Sequence, residues 1–403
     1  MPLFINRIGI TMTDYFGISD TQLETYKDRY ALKPAKGYLK LAFLGLKYFG
    51  RELRKGKWFK KTDNKLFNIG ILIEGGIGDM LYAALYISEL DKVFDNSKIF
   101  VFSDRRNVAK LVFNCSKVII EDKKNLAYTK LDLVISLSLN IPNLIYRSDK
   151  ECNKKGKEYI DSLYLFSKKY KSLLNGKFQL NQLDFLLLRG KNCITGLDIT
   201  NKLGIDDNSN FKISIPEDGE QIYDKYPILK SEKYITIARS VDVTNRNCES
   251  TRLWSVEKYE QFVKLFKRKF PGVKVVYLGP NKKSCKPIAG VDIDLVGKTT
   301  LSELMVVLKG AVLHFDSEGG MTHLRHFICA KKSIVLFGPT SPKLRSHPEN
   351  MNIRIDSKCV LPFCEHVILN GEWGRACQLN GTNKCECLES INPEDIVNSI
   401  KEL

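Results

Sequence analysis

Two glycine-rich turns carry side chains whose types and spacing can do chemistry. The first, residues 74–79 (EGGIGD), stands between an apolar run and a helical pattern. Glycines let a ligand approach the backbone, and the helix start behind them offers free N–H groups and partial positive charge. Asp79 is either a cap of that helix or a general base that takes a proton from an acceptor hydroxyl. We predict the base, with Gly76 and Gly78 beside the acceptor.

The second turn, residues 316–324 (DSEGGMTHL), shows the same order of strand, glycine loop and helix. Its backbone amides and its helix start are suited to holding a diphosphate. Glu318 can accept hydrogen bonds from sugar or ribose hydroxyls. His323, one turn into the helix, can reach the phosphate or the sugar, although a single histidine at such a place is often only a buried structural residue.

Two further motifs also suit the binding of a diphosphate-containing donor. Arg252 stands just before Trp254 and a helical pattern, so that its charge can neutralise a leaving diphosphate, whereas Trp254 is predicted to pack in the core. The turn 338–342 (GPTSP) follows an apolar strand, and open α/β sheets bind ligands at the carboxyl ends of their strands. The predicted donor-binding residues are Arg252, Glu318, Gly319, Gly320, Met321, Thr322, His323, Gly338 and Thr340.

Two arginines follow the second predicted strand of the chain. Arg105 and Arg106 are either part of an ordinary solvated loop or a grip for an anionic group of the acceptor. We place them on the acceptor side.

The elements that position these turns alternate between strand and helix, and the alternation occurs twice. Apolar runs predict strands at 67–73, 98–102, 118–120, 131–136, 233–238, 273–279, 311–315 and 333–337. Helical patterns are found at 79–90, 107–113, 255–270, 301–309 and 321–328. Continuously apolar strands that alternate with helices predict parallel sheets covered on both faces.

The predicted fold class is therefore α/β, with two Rossmann-like domains facing each other across a cleft, which is the GT-B plan. The domains are 67–225 and 226–390, with a mainly helical stretch at 147–192 and a linker at 205–232. A basic N-terminal extension, 1–66, precedes them, and a C-terminal helix within 391–403 follows.

Composition limits the classes of function. The chain has 403 residues, 43% of them hydrophobic, so it can bury two cores and is not of disordered composition. Its net charge of +17 favours an anionic partner, although biased base composition of the genome would also give many lysines. No signal peptide or transmembrane pattern is found, which predicts a cytoplasmic protein, with peripheral contact to the inner face of the cytoplasmic membrane as an extension of that reading.

The extension is strongly basic and carries interleaved apolar residues. Between residues 29 and 61, lysine and arginine heavily outnumber a single acid, Glu52. Such an amphipathic segment either lies on an anionic membrane or packs its apolar face on the rest of the protein. Peripheral membrane contact through 29–61 is the functional alternative.

Eleven cysteines fall into two groups. Six are scattered from Cys115 to Cys329, as expected for reduced thiols, and five crowd into the last 45 residues. The crowded five hold a structural metal, form disulfides or stay free; no pair has the C-x-x-C spacing usual for zinc. The metal hypothesis names Cys359, Cys364, Cys377 and Cys387, with zinc or iron as the ion.

Taken together, the motifs resemble glycosyltransferase family 9, the bacterial heptosyltransferases. The matching segments are Gly76–Asp79, Arg252–Trp254, Gly297–Leu301, Glu318–Leu324 and Phe337–Thr340, and the resemblance covers about residues 67–400. It implies a GT-B enzyme whose catalysis needs no metal. Relatives that glycosylate autotransporter proteins hold iron at C-terminal cysteines, so the resemblance implies iron as a candidate for the metal.

The chain also departs from that family. Glu318 and Gly319 stand where the family has Asp and Ser or Thr, Arg252 stands where it has Lys, and the extension 1–66 is not part of its pattern. These differences bear on the identity of the sugar and of the nucleotide.

The resulting functional hypothesis is an inverting glycosyltransferase that moves a sugar, with heptose as the best guess, from a nucleotide-diphosphate sugar to a glycolipid such as a lipopolysaccharide core. A protein acceptor, as in autotransporter heptosylation, is the first alternative, and a GT-B nucleotide-sugar epimerase is the second. A basic nucleic-acid-binding protein is the non-enzyme alternative, and no zinc-finger, RRM or helix-turn-helix pattern supports it.

Overall fold

The computed structural model describes the following residues: 66–73, 75–113, 118–127, 130–138, 141–169, 211–239, 250–280, 285–355, 377 and 379–403. Of the predictions above, the extension up to residue 65, Glu74, the stretch 170–192 and the start of the linker at 205–210 lie outside these residues. The chain divides into two compact units. One consists of Met1–Gly75 and Tyr82–Ser209, and the other of Gly76–Leu81 and Asn210–Leu403.

The first unit alternates strands and helices up to a final long helix. Its elements are β1 (Phe67–Ile73), α1 (Ile77–Leu90, which begins in the segment grouped with the other unit), β2 (Ser97–Phe102), α2 (Arg106–Val112), β3 (Val118–Glu121), β4 (Leu133–Ser138), β5 (Ile141–Arg147) and α3 (Lys154–Lys169). The sheet order is β3-β2-β1-β4-β5. β1 to β4 run parallel and β5 runs antiparallel to β4. The predicted parallel sheet is confirmed.

Strand β5 was not predicted from the sequence. It is the edge of the sheet, and its outer residues alternate toward exposure instead of forming a continuous apolar run. Pro142 within it cannot donate a ladder hydrogen bond, and an edge strand tolerates this. The sequence did not predict β5 because its residues are of mixed polarity and include a proline. The strand forms because it pairs with the neighbouring β4.

The second unit repeats the alternation on a larger sheet. Its elements are a 3-10 helix (Glu217–Gln221), α4 (Ile222–Lys225), α5 (Ile228–Ser231), β6 (Tyr234–Ala238), α6 (Val256–Lys269), β7 (Lys274–Leu278), β8 (Ile293–Asp294), α7 (Leu301–Gly310), β9 (Leu313–Ser317), α8 (Gly320–Cys329), β10 (Ser333–Leu336), α9 (Pro342–Arg345), β11 (Met351–Ile353), α10 (Glu386–Glu389) and α11 (Pro393–Ser399). The sheet order is β11-β10-β9-β6-β7-β8, and every pairing is parallel.

An aromatic cluster forms the centre of this unit. Trp254 is fully buried and contacts the rings of Tyr259 and Phe315 edge-on, with centroids 5.4 and 5.9 Å away. Phe262 stacks on Phe315 at 4.2 Å. The prediction that Trp254 packs in the core is confirmed.

The predicted start of α6 at Ser255 is also confirmed, but its hydroxyl has another partner. Ser255 occupies the N-cap position and makes no side-chain capping bond. Its backbone N–H and its hydroxyl instead donate to the two carboxylate oxygens of Glu389, at 3.0 and 2.8 Å. The first turn of α6 is thereby tied to α10.

Two stretches differ from the sequence-based boundaries. The strand predicted at 311–315 is shifted to β9, so that Asp316 and Ser317 are buried strand residues and not loop residues. Apolarity was a poor guide here because the strand lies inside the sheet between β6 and β10, where backbone pairing continues through polar side chains. Within the predicted linker, Gly219 packs so closely on α7 that a Cβ atom would lie 2.7 Å from the carbonyl oxygen of Ser302.

Within the residues that the structure describes, no helix is both long enough and apolar enough to cross a bilayer.

Candidate functional site

The loop between β9 and α8 carries most of the predicted donor residues. β9 ends at Ser317, the Glu318 N–H donates to the carbonyl of Leu336 at 3.0 Å, and Gly319 is the N-cap of α8. The amides of the first turn of α8 have no intrahelical acceptor, which gives this turn its capacity for an anion. The strand–loop–helix order predicted for residues 316–324 is confirmed.

Glu318 and Arg252 form an ion pair in this loop. One Nη1–Oε2 contact measures 3.2 Å, with Glu318 buried and Arg252 about a quarter exposed. The sequence nominated both residues as separate donor contacts, and the fold brings them together. The pairing satisfies a buried carboxylate that would otherwise cost several kcal/mol, on the order of 3–5, if left alone.

His323 is buried beside the same carboxylate. Its Nε2 lies 3.9 Å from Oε1 of Glu318, and its Nδ1 is 2.8 Å from Nε2 of His347. Burial, followed by the positive charges of Arg345, His326 and Arg252, lowers the pKa of His323 to about 3. The ring is therefore neutral at physiological pH and can act on an anion as an N–H donor.

The ring of His347, which follows the turn 338–342, packs on His326, and His326 is itself held by Glu349. The ring of His326 stacks on that of His347 with centroids 3.8 Å apart and planes 3° from parallel. Nδ1 of His326 lies 2.7 Å from Oε1 of Glu349. Burial and the neighbouring His323 and His326 lower the pKa of His347 to about 2. The only sequence signal for this group was that all five histidines lie between residues 314 and 366.

The turn that holds Asp79 belongs to the same compact unit as this loop. A Cβ atom at Gly78 would lie 3.0 Å from Cδ2 of His323, so a larger residue there would push on the histidine ring. Oδ2 of Asp79 accepts the N–H of Gly76 at 2.8 Å. Asp79 is half-buried, and its Oδ1 accepts no hydrogen bond from the described part of the chain.

Of the two interpretations that the sequence left open, the structure shows the capping contact of Asp79, and its role as a general base stays a prediction. Asp79 stands in the first turn of α1 and stabilises that turn through Oδ2, as a capping residue does. Its second oxygen remains available for a proton.

The remaining predicted residues are placed as follows. Arg105 precedes α2 and Arg106 begins it, both exposed after the carboxyl end of β2. A Cβ atom at Gly338 would lie 2.7 Å from Cγ of Leu388, so this glycine is needed for packing against α10. Thr340 is buried, and its hydroxyl has no hydrogen-bond partner among the described residues.

Strand β9, which leads into the Glu318 loop, buries two polar side chains to which the sequence assigned no role, His314 and Asp316. Nδ1 of His314 is 2.9 Å from the hydroxyl of Thr236, and Nε2 lies 3.7 Å from Oδ2 of Asp316. Burial, with a smaller effect of Arg325, lowers the pKa of His314 to about 3. Burial raises the pKa of Asp316 well above its usual range. His314 is therefore neutral at physiological pH, and burial favours the protonated form of Asp316.

Three of the C-terminal cysteines gather in one buried place. Cys377, Cys385 and Cys387 are all buried, and the thiol of Cys385 lies next to those of the other two. Cys385 was not among the predicted ligands, whereas Cys359 and Cys364, which were, lie outside the described residues. Among residues that are described, no three histidine, cysteine or acidic side chains are arranged as a metal site.

Comparisons with known proteins give structural matches only. No family model matches the chain, and no curated protein matches it in sequence. The structure of the iron-containing dodecameric glycosyltransferase TibC from enterotoxigenic E. coli H10407 matches with 13% identity and a TM-score of 0.53, covering 84% of this chain and 76% of that one. TibC in complex with ADP-D-β-D-heptose matches with 13% identity and a TM-score of 0.51, covering 85% and 80%.

The chain has the GT-B fold. E. coli ADP-heptose lipopolysaccharide heptosyltransferase II aligns with a TM-score of 0.49 and 13% identity over 83% of this chain and 97% of that one. In the GT-B fold of this chain, the Asp79 turn and the Glu318 loop both follow the carboxyl ends of parallel strands, β1 and β9. Open α/β sheets bind their ligands at such ends.

Proposed function

We propose that the protein is an inverting glycosyltransferase that moves a sugar from a nucleotide-diphosphate sugar to a glycolipid of the bacterial cell surface. The observation that carries the proposal is the group formed by Arg252, Glu318 and His323 at the start of α8. It combines a cation, a buried carboxylate and a neutral N–H donor with the free amides of a helix start. The fold shared with TibC, whose structure holds ADP-D-β-D-heptose, supports heptose as the sugar.

In this reaction Asp79 acts on the acceptor, and the residues at the start of α8 act on the donor. Oδ1 of Asp79 takes the proton of an acceptor hydroxyl, and the hydroxyl oxygen attacks the anomeric carbon as the bond from that carbon to the diphosphate oxygen breaks. The electron pair leaves with the diphosphate, whose charge is stabilised by the amides of residues 319–322, by His323 and by Arg252. Glu318 accepts hydrogen bonds from hydroxyls of the sugar or the ribose. Positioning and charge stabilisation supply most of the acceleration.

The charge of the protein favours a glycolipid as the acceptor. The net charge of +17 and the basic segment 29–61, which lies outside the described residues, suit an anionic membrane surface on the cytoplasmic side. Arg105 and Arg106 are exposed at the end of β2, where they can bind phosphate groups of such an acceptor. A protein acceptor and a nucleotide-sugar epimerase are the alternatives that the same fold allows.

A donor panel tests the proposal. The full-length protein is incubated with ADP-heptose and with ADP-, UDP-, GDP- and CDP-hexoses, with and without detergent-extracted bacterial glycolipid, and release of the nucleoside diphosphate is measured. We expect release from one donor, raised by the glycolipid. Sugar isomerisation without an acceptor would identify an epimerase, and release stimulated by protein alone would identify a protein acceptor.

The cysteine group supports a second, structural proposal. Cys377, Cys385 and Cys387 are buried together, and cysteine thiolates suit a soft metal such as zinc or iron. A complete ligand set needs a further ligand, and the predicted ligands Cys359 and Cys364 lie outside the described residues. Such a metal would brace the segment around Cys385 and Leu388, which packs on Gly338, and would take no part in the transfer.

Metal content and stability check this. We expect the purified protein to contain close to one equivalent of iron or zinc, and Cys387→Ser to lose it and unfold at a lower temperature. Cys152→Ser, at a half-buried cysteine of the first unit, is the matched control and should keep both. Wild-type protein that is metal-free after anaerobic purification, with unchanged melting for Cys387→Ser, would rule the metal out.

A further inference from the structure

We propose that His347 is a positioning residue that fixes the tautomer of His323. Through the 2.8 Å contact between its Nε2 and Nδ1 of His323, it places the His323 proton on Nε2, the nitrogen that faces Glu318. The part that concerns the donor diphosphate rests on the proposed function, whereas the tautomer itself does not.

The argument starts from proton counting. A neutral imidazole has one N–H donor and one bare acceptor nitrogen, and the two rings share a single close contact. Either His323 donates from Nδ1 and leaves its Nε2 bare, or His347 donates from Nε2 and leaves the proton of His323 on Nε2. A hydrogen bond at one ring nitrogen thereby decides the chemistry of the other.

The carboxylate near Nε2 discriminates between the two tautomers. Oε1 of Glu318 lies 3.9 Å from that nitrogen, and both side chains are buried. A bare nitrogen lone pair facing a carboxylate is repelled, whereas an N–H facing it is attracted. The favoured arrangement is therefore donation from Nε2 of His347 to Nδ1 of His323.

A second contact, with His326, also fixes the orientation of the His347 ring. His323 and His326 are three residues apart on α8 and so lie on one face of the helix. His347 contacts both of them, by the hydrogen bond to His323 and by stacking on His326. Glu349 accepts from Nδ1 of His326 and fixes the plane on which His347 stacks. Four side chains from two segments thus set one ring orientation.

The consequence for the donor is directional. An N–H at Nε2 of His323 stabilises an anionic oxygen, whereas the other tautomer presents a lone pair to it. A hydrogen bond to a charged group is stronger than one between neutral partners, so loss of the correct tautomer should lower kcat/KM for the donor by about 10- to 100-fold. His347 itself does not touch the reacting atoms.

Nitrogen NMR of the histidine-labelled full-length protein tests the tautomer without any substrate. In the wild type we expect His323 to show an unprotonated Nδ1 and a protonated Nε2, with a nitrogen–nitrogen coupling across the hydrogen bond in which the proton belongs to His347. A protonated Nδ1 on His323 would overturn the proposal, whatever the enzyme assays give.

Two variants add the functional readout. His347→Gln keeps an N–H donor near the position of Nε2 and should keep both the tautomer and the donor kcat/KM within a few fold of the wild type. His347→Phe keeps a ring to stack on His326 but has no donor, and should mix the His323 tautomers and lower kcat/KM. An unchanged His323 spectrum in His347→Phe would overturn the proposal, and because the spectrum needs no turnover, a failure of the proposed transferase activity would be seen separately. Should His347→Phe not fold, the wild-type spectrum alone decides.

Discussion

Asp79→Asn is expected to lower kcat of the sugar transfer by about 10²–10⁴-fold, the usual effect of removing a placed general base. The substitution isolates the base from the capping role. The amide oxygen of asparagine can still accept the N–H of Gly76, so that the turn before α1 keeps its 2.8 Å bond. What is lost is the carboxylate that takes the proton from the acceptor.

Two companion variants complete this test. Asp79→Ala removes the base and the capping bond together, and should add a loss of unfolding free energy of about 0.5–2 kcal/mol to the same loss of rate. Asp104→Asn, at an exposed aspartate after β2, is the matched control and should change neither. Initial rates at saturating donor, together with melting curves, give both quantities. Near-native turnover of Asp79→Asn would show that another group, or solvent, takes the proton.

Acidification is expected to destabilise the second unit well before its carboxylates titrate. His314, His323 and His347 have pKa values lowered to about 3, 3 and 2, mainly by burial. In the unfolded chain each titrates near 6.5, so between pH 6.5 and about pH 3 the unfolded state binds protons that the native state does not. Stability is therefore present above pH 6.5 and is lost as the pH falls.

One buried group acts in the opposite direction. The pKa of Asp316 is raised by burial, so the native state holds a proton that the unfolded carboxylate releases above its ordinary value near 4. As the pH falls, this effect works against the loss caused by the histidines. Each histidine by itself lowers the unfolding free energy by about 2 kcal/mol between pH 7 and pH 5.

Denaturant unfolding at pH 7, 6 and 5 measures this loss. His314→Asn keeps a donor and an acceptor for the hydroxyl of Thr236 but cannot titrate, so its unfolding free energy should fall by about 2 kcal/mol less than that of the wild type over the same window. His314 lies in β9 and not in the loop between β9 and α8, so the stability measurement does not alter the proposed donor-binding residues. A pH dependence of His314→Asn identical to that of the wild type would show that His314 is not buried and neutral.

Most of the secondary structure could be predicted from the sequence because apolar runs and helical spacing involve residues that are close together in the chain. Buried parallel strands such as β1 are continuously apolar, and α6 shows buried residues at helical spacing, so the periodicity of the chain carries the information. Strands without that signal were missed or shifted: β5 contains Pro142, β8 and β11 are only two and three residues long, and β9 ends in Asp316 and Ser317.

The sequence by itself also singled out the two turns on which the proposed chemistry rests. Glycines between a strand and a helix, with Asp79 in one and Glu318 and His323 in the other, can be recognised from order and spacing because a helix start and its preceding loop are contiguous in the chain. The same holds for the cluster of C-terminal cysteines, although not for the part that Cys385 plays in it.

Only the tertiary structure decided the partners. The ion pair of Arg252 with Glu318 joins residues 66 positions apart, and the contact of His323 with His347 joins residues 24 apart. Neither separation has a periodic signature, because parallel sheets bring distant strand ends together through crossovers whose lengths vary. The protonation states also depend on the tertiary structure. Burial, which is a property of the folded chain, lowers the pKa values of His323 and His347 and keeps both rings neutral.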